Sequence, residues 1–335
     1  MRRVGLFLIV LAVLSAASAA FVFSQVIVIT MPGESYRGAL PPLSPAQAEL
    51  ARQLERDVRA LAEDIGERNL FRHGSLERSA RYIEEALKAS GHAVARQSFT
   101  VRGITVSNVE AMIPGKDPEA GIVVIGAHYD SVQGTTGAND NASGVAALLA
   151  LGRALQQRSF RRGMRLVAFV NEEMPFSYSE SMGSVRYARR LAAQGEKVAA
   201  MVSLETIGYY VDGTGTQRYP FPLAYFYPDT GNFIAFVGNP ASKNQVQKMV
   251  GTFREAARFP SEGLAAPDRI AGVGWSDHWS FWQQGMPAVM VTDTALYRYR
   301  EYHTPKDTPD ILHYDRFARV VEGLIAVAVD LAEGE

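Results

Sequence analysis

The sequence predicts an α/β fold, a three-layer α/β/α sandwich around a mixed but mostly parallel central sheet. Two observations carry this. Short continuous apolar runs recur at residues 122–125, 166–170, 199–204, 233–237 and 288–291, the pattern of strands buried on both faces. Stretches with helical periodicity lie between them, and strands alternating with helices build a parallel sheet covered on both sides.

The first element is a helix. Ser44, Pro45 and Gln47 have the form of a helix start, with Ser as N-cap, Pro at N1 and Gln at N3. Leu50, Leu54, Val58, Leu61 and Ile65 then recur at three- and four-residue steps and make one apolar stripe. A second helix is expected over 75–90, stopped by Gly91. Alternation around 94–101 and 104–113 reads as two strands. Further helices are expected over 143–157, 184–193, 245–257 and 314–332, in the gaps between the apolar runs. No repeat or second boundary interrupts residues 44–335, so one catalytic-sized domain is the better count.

Composition narrows the chemistry. The chain has 335 residues, 34 basic against 35 acidic, and no cysteine. Balanced charge creates no field for nucleic acid, and any metal must be held by His, Asp and Glu. Arg2 and Arg3 precede an uncharged apolar stretch from Val4 to Ile29, about the 20 residues that cross a bilayer as a helix. Residues 1–30 are therefore read as a signal anchor, or alternatively as a signal peptide cleaved after Ala17-Ser18-Ala19. Both readings export the rest. The expected location is the periplasmic or extracellular side of the membrane, with membrane contact through this segment only. Pro32, Gly33, Gly38, Pro41 and Pro42 mark 31–43 as a linker.

The residues directly beyond each buried run carry the chemistry. His128 and Asp130 come after the first, with Asp140 in the Gly-rich loop beyond; Glu172 and Glu173 come after the second, Glu205 after the third, and His303 lies near the end. Open α/β sheets deliver such residues to a crevice at their strand ends. Singly, each has a plainer role: a hydrogen-bonded histidine, a solvated acid pair, an N-cap aspartate. Together, in a chain with six histidines, they form a cluster of carboxylates that is costly without a compensating cation.

This ordered set, with Met182-Gly183-Ser184 and Ser276-Asp277-His278-Trp279, resembles the M28 family of zinc peptidases over roughly residues 65–330. The resemblance implies a zinc exopeptidase-like fold, two zinc ions per chain and a peptide substrate. It implies that Asp140 bridges the ions, that His128 and Glu205 complete one and Glu173 and His303 the other. Glu172 would be the general base, and Asp130 would accept a hydrogen bond from the His128 imidazole and orient it. The peptide bond after Asp140 is expected to be cis. No G-x-S-x-G elbow, H-E-x-x-H helix or cysteine nucleophile competes.

Glu205 stands where the best-known aminopeptidases of the family have aspartate. It either ligates zinc with a longer side chain, or the second site is weak or absent. Asp277 and His278 either line the substrate pocket or form a structural turn. The aromatic and proline-rich segment 209–236 either builds a pocket rim or an apolar mini-core over the sheet. His73, His92 and His313 read as surface residues. The functional expectation is an aminopeptidase. The alternatives are a carboxypeptidase, a one-zinc glutaminyl cyclase-like acyltransferase and a non-catalytic ectodomain, and oligomeric state is not legible.

Overall fold

The computed structural model describes residues 27–334. Eight strands form one sheet: β1 (Ala93–Val101), β2 (Ile104–Ile113), β3 (Ile122–His128), β4 (Gly163–Phe169), β5 (Val198–Glu205), β6 (Ile234–Gly238), β7 (Ser261–Ala265) and β8 (Ala288–Thr292). Their spatial order is β1-β2-β4-β3-β5-β8-β6-β7. The central four, β4, β3, β5 and β8, run parallel. The β1–β2 pair joins antiparallel to β4 on one side, and β6, itself parallel to β7, lies antiparallel to β8 on the other. The sheet is thus mixed with a parallel centre, as expected.

Among the described residues seven α-helices accompany it: α1 (Pro45–Arg59), α2 (His73–Ala89), α3 (Gly144–Ala154), α4 (Gly183–Ala193), α5 (Lys243–Ala256), α6 (His278–Trp282) and α7 (Tyr314–Glu333). The strand period of two divides β3 between the faces. Val123, Ile125 and Ala127 enter the main core, and Ile122 and Val124 enter a second cluster. Helices α3, α5 and α7 cover the first face, while α4 and α6 pack on the second. On α7, Phe317, Val320, Val321 and Leu324 recur at helical spacing and are buried. Truncating a buried leucine such as Leu324 to alanine costs about 2–5 kcal/mol.

Helix α1 starts with the expected capping box. Gln47 N–H donates to Ser44 Oγ and Ser44 N–H donates to the Gln47 side chain, an arrangement that contributes about 1 kcal/mol. The apolar stripe outlasts the α-helix. After Arg59 the backbone widens into a π-helical turn, Ala60–Ile65, that keeps Leu61 and Ala62 buried and ends at Gly66 with φ +83°. Two elements escape the sequence reading. Ser261–Ala265 has no clear alternation, and the five-residue α6 is too short to show a period.

Residues 27–35 lie along the outer edge of the sheet. Val28 pairs with Ala265, Arg254 donates to the carbonyls of Pro32 and Gly33, and Ser261 N–H donates to Ser35 Oγ. The proline-rich stretch read as a linker therefore runs hydrogen-bonded over the domain, and Arg319 reaches the Pro41 carbonyl farther on. The anchor or signal peptide expected over 1–30 lies outside the described residues up to position 26. No helix among the described residues is long and apolar enough to cross a membrane.

Candidate metal centre

Because β4, β3 and β5 are adjacent and parallel, their carboxyl ends lie side by side. That adjacency brings His128 at the end of β3 next to Glu205 at the end of β5 and to Glu172 and Glu173 just beyond β4. Asp140 enters from the turn before α3, where the Asp140–Asn141 peptide bond is cis, as the resemblance implied. His303 enters from the loop after β8, with φ +58°.

Asp140 sits between the two imidazoles. Its Oδ1 is 3.2 Å from His128 Nε2 and its Oδ2 is 2.9 Å from His303 Nε2. Glu205 Oε2 lies 3.3 Å from His128 Nε2, and Glu173 Oε2 lies 3.4 Å from His303 Nε2. The five residues thus fall into two groups that share Asp140, His128–Asp140–Glu205 and Asp140–Glu173–His303. Asp140 Oδ2 and Glu173 Oε1 are buried without a hydrogen-bond partner, although the His303 nitrogen is so close to the former. Lone-pair atoms that converge without hydrogen bonding are arranged as ligands around a cation. The donor set, two imidazoles and three carboxylates with no sulfur, suits zinc. Glu172 stands beside this set, its Oε2 4.0 Å from His128 Nε2.

Further groups hold the cluster in place. The Asp130 carboxylate accepts from the backbone amides of Glu172 and Glu173, 3.1 Å in each case. The His128 Nδ1 atom lies 3.1 Å from the Asp130 carbonyl oxygen and 3.6 Å from its carboxylate. The expected hydrogen bond to the carboxylate is therefore met by the main-chain oxygen, while the carboxylate ties the end of β3 to the acid pair. Ser276 Oγ donates to Glu205 Oε2 at 2.8 Å.

Three supporting residues were not legible as such. Asp307 accepts from the Asn139 and Asp140 amides, and Asp293 accepts from Asn139 Nδ2 and the Tyr209 amide. Asp293 directly follows a buried strand, the same signal that marks Glu205; Asp307 lies four residues after His303 and carries no signal. Arg68 is fully buried and its guanidinium donates to the carbonyls of Tyr129, Leu61, Gly66, Thr136 and Gly137. It braces the loop that separates His128 from Asp140.

Electrostatics reflect crowded charge. Burial raises Glu173 to about 7, helped by Asp140 and opposed by His303. Burial, then Glu173, Glu205 and Asp277, push Glu172 well above the usual carboxylate range, against His128. Burial disfavours charge on His303, yet Asp140 and Glu173 outweigh it and lift the imidazole to about 11. Without a cation such a cluster takes up protons, and a metal ion bound there would displace them.

Asp277 and His278 are both fully buried. The Asp277 carboxylate has no hydrogen-bond partner, and burial raises it to about 7 while His128 pulls it down. His278 Nε2 lies 2.7 Å from the Val273 carbonyl, its ring packs edge-on against Trp282, and burial lowers it to about 4. His278 is thus a neutral structural residue. Neither side chain lines the cavity beside the cluster. His73 and His313 are exposed and His92 is half-buried.

That cavity opens to solvent and has Glu205 and Tyr302 at its metal-cluster end. Its walls include Leu223, Phe233, Ala235, Val237, Leu264 and Met290. The segment 209–236 fulfils both readings at once: Leu223 and Phe233 belong to an apolar cluster over β6 to β8 and also face the cavity. Tyr302, stacked on His303 with ring centres 3.8 Å apart, is kept protonated first by burial and then by the surrounding carboxylates.

The family model described as Peptidase family M28 matches residues 108–328. The chain belongs to peptidase family M28. The enzyme class expected from the residues, a metallopeptidase, is the family's own. Among relatives of this M28 chain, the uncharacterized protein YfbL of Escherichia coli K12 is 40% identical over 296 residues, 85% of this chain and 90% of that one. Leupeptin-inactivating enzyme 1 of Streptomyces exfoliatus is 26% identical over 287 residues, 83% of this chain but 56% of its own length. The structure of BSAP, a zinc aminopeptidase from Bacillus subtilis, superposes with a TM-score of 0.68 over 85% of this chain and 95% of that one. At 15% identity the latter shows a shared fold.

Proposed function

We propose that this M28 member is an aminopeptidase that works with two zinc ions, and that it prefers large apolar amino-terminal residues. The observation that supports two ions is the position of Asp140, with one oxygen towards His128 and the other towards His303. His128, Asp140 and Glu205 would hold one ion and Asp140, Glu173 and His303 the other, so Glu205 is assigned as a ligand. The ions supply Lewis-acid activation of a water and of the scissile carbonyl. Glu172 takes the proton of the attacking water and returns it to the departing amine, a task for which a raised pKa suits it. Asp130 holds the acid pair in register with His128 through the two amides it accepts.

The amino-terminal reading is supported over the carboxyl-terminal one by the zinc aminopeptidase whose structure this chain resembles. The cavity beside the cluster, with its aliphatic and aromatic walls, would take the side chain of the first residue.

The same proposal places the domain outside the cytoplasmic membrane, tethered by the apolar segment that follows Arg2 and Arg3. With Ile27 already buried in the domain, the span would end before that residue.

The test is the full chain in detergent, assayed with free-amino, N-blocked and N-terminal-glutamine peptides, with and without a chelator. Chelator-sensitive release of leucine or phenylalanine from free-amino peptides only is expected. Cleavage of N-blocked peptides from the carboxyl end would replace this reading by a carboxypeptidase. Cyclisation of glutamine without cleavage would replace it by an acyltransferase.

A further inference from the structure

Residues 219–228 contain four aromatic side chains besides Tyr219, three prolines and no charge. The base of this loop is fixed. Tyr227 Oη donates to the Gly263 carbonyl at 2.6 Å, Tyr219 Oη donates to the Pro228 carbonyl at 2.6 Å, the two rings stack, and Leu223 is buried. Its tip is the opposite. Phe221 is 84% exposed and Tyr225 79% exposed, their rings edge to face. Neither lines the cavity, so the metal site does not account for them. Two adjacent aromatics presented to water on a pinned loop are costly in a monomer and mark a contact surface.

The occupant is indicated by where the chain enters the domain. Ile27 packs in the same apolar cluster as Leu223, Phe233 and Leu264, on the edge that Val28 pairs with. Upstream of Ile27, back to Val4, no residue is charged. An apolar segment long enough to span a bilayer therefore ends in the cluster that supports the aromatic loop. Tyrosine and phenylalanine favour the boundary between headgroups and acyl chains.

We propose that Phe221 and Tyr225 seat in the interface of the lipid bilayer that holds the N-terminal segment, fixing the domain against the membrane at its β7 edge. This rests on the N-terminal segment being an anchor. The loop acts as a second, reversible contact, and the cavity wall that Leu223 contributes is then held close to the lipid surface.

The absence of cysteine makes the test clean. The full chain carrying F221C, Y225C or, as control, K116C in the turn after β2 is labelled with an environment-sensitive fluorophore and reconstituted in phosphatidylcholine–phosphatidylglycerol nanodiscs. Retained turnover of a soluble peptide shows that each labelled chain is folded. Labels at 221 and 225 are expected to shift their emission to the blue, to be quenched by headgroup-nitroxide lipid and to resist iodide, while the label at 116 behaves oppositely. Iodide quenching at 221 and 225 equal to that at 116, in chains that remain with the nanodisc, overturns the proposal and leaves the anchor standing. Shielding that persists in detergent without lipid assigns the patch to a second copy of the chain and also overturns it. A chain that does not remain with the nanodisc overturns the anchor reading and this proposal with it.

Discussion

Asp307 grips the main chain at Asp140: its two carboxylate oxygens accept from the amides of Asn139 at 2.8 Å and Asp140 at 3.0 Å. The side chain between the two imidazoles is thereby aimed by a residue that touches neither. Asp307→Asn replaces one acceptor by a donor facing an N–H. Metal affinity should fall about 10–100-fold, as for other partners that orient ligands. Competition with a chromophoric chelator reads the loss, and excess zinc should restore turnover. Unchanged affinity would mean that Asp140 is positioned by the turn alone.

Replacing Glu172 by Gln removes the proton acceptor and keeps the shape. Turnover should drop by about 10²–10⁴-fold with metal content unchanged from that of the parent chain by elemental analysis. Loss of metal from this variant would show that Glu172 is a ligand and that the acid pair has been assigned in the wrong order.

Metal uptake should release protons. Glu173 titrates at about 7 and His303 at about 11 in the metal-free cluster, and both must be deprotonated to ligate. Affinity should therefore weaken as pH falls below about 11, where His303 takes up its proton, and more steeply below about 7, where Glu173 does. Titration calorimetry in two buffers of different ionisation enthalpy measures the protons released. Equal heats in both buffers would contradict the coupling.

Ala235 lies on β6 and lines the cavity. Ala235→Phe fills part of it. Turnover of substrates beginning with leucine or phenylalanine should fall by about 10–200-fold in kcat/KM relative to those beginning with alanine, the range a pocket contact commands. A uniform loss across all substrates would place the side-chain pocket elsewhere.

Arg68→Met should destabilise the fold by about 3 kcal/mol, since it removes the donor to five carbonyls, of which those of Leu61 and Gly137 keep a backbone amide partner. Urea unfolding with and without zinc separates the two consequences. The variant should also bind metal less tightly, because the loop from Tyr129 to Gly137 loses its brace.

The parallel centre of the sheet was legible because a strand buried on both faces must be apolar throughout, as 122–125 and 166–170 are. The acids and imidazoles after those runs were legible for a related reason: a polar residue directly beyond a buried run sits at a strand end. β7 was hidden because Ser261-Glu262-Gly263 carries neither signal. The roles of Asp277 and His278 stayed open for want of burial, which no local pattern reports for a five-residue helix.

By itself, then, the sequence determined the strand–helix alternation, the set of groups able to hold metal, and the exclusion of thiolate chemistry, because these depend on residue type and local period. Only the tertiary structure decided that Asp140 stands between His128 and His303, that Asp130 meets the imidazole through its carbonyl, and that Asp307, Asp293 and Arg68 brace the centre. Those relations join residues far apart in the chain, Asn139 and Asp307 being separated by 168 positions. Sheet order and loop packing bring such residues together, and nothing in a local stretch of chain encodes the distance between them.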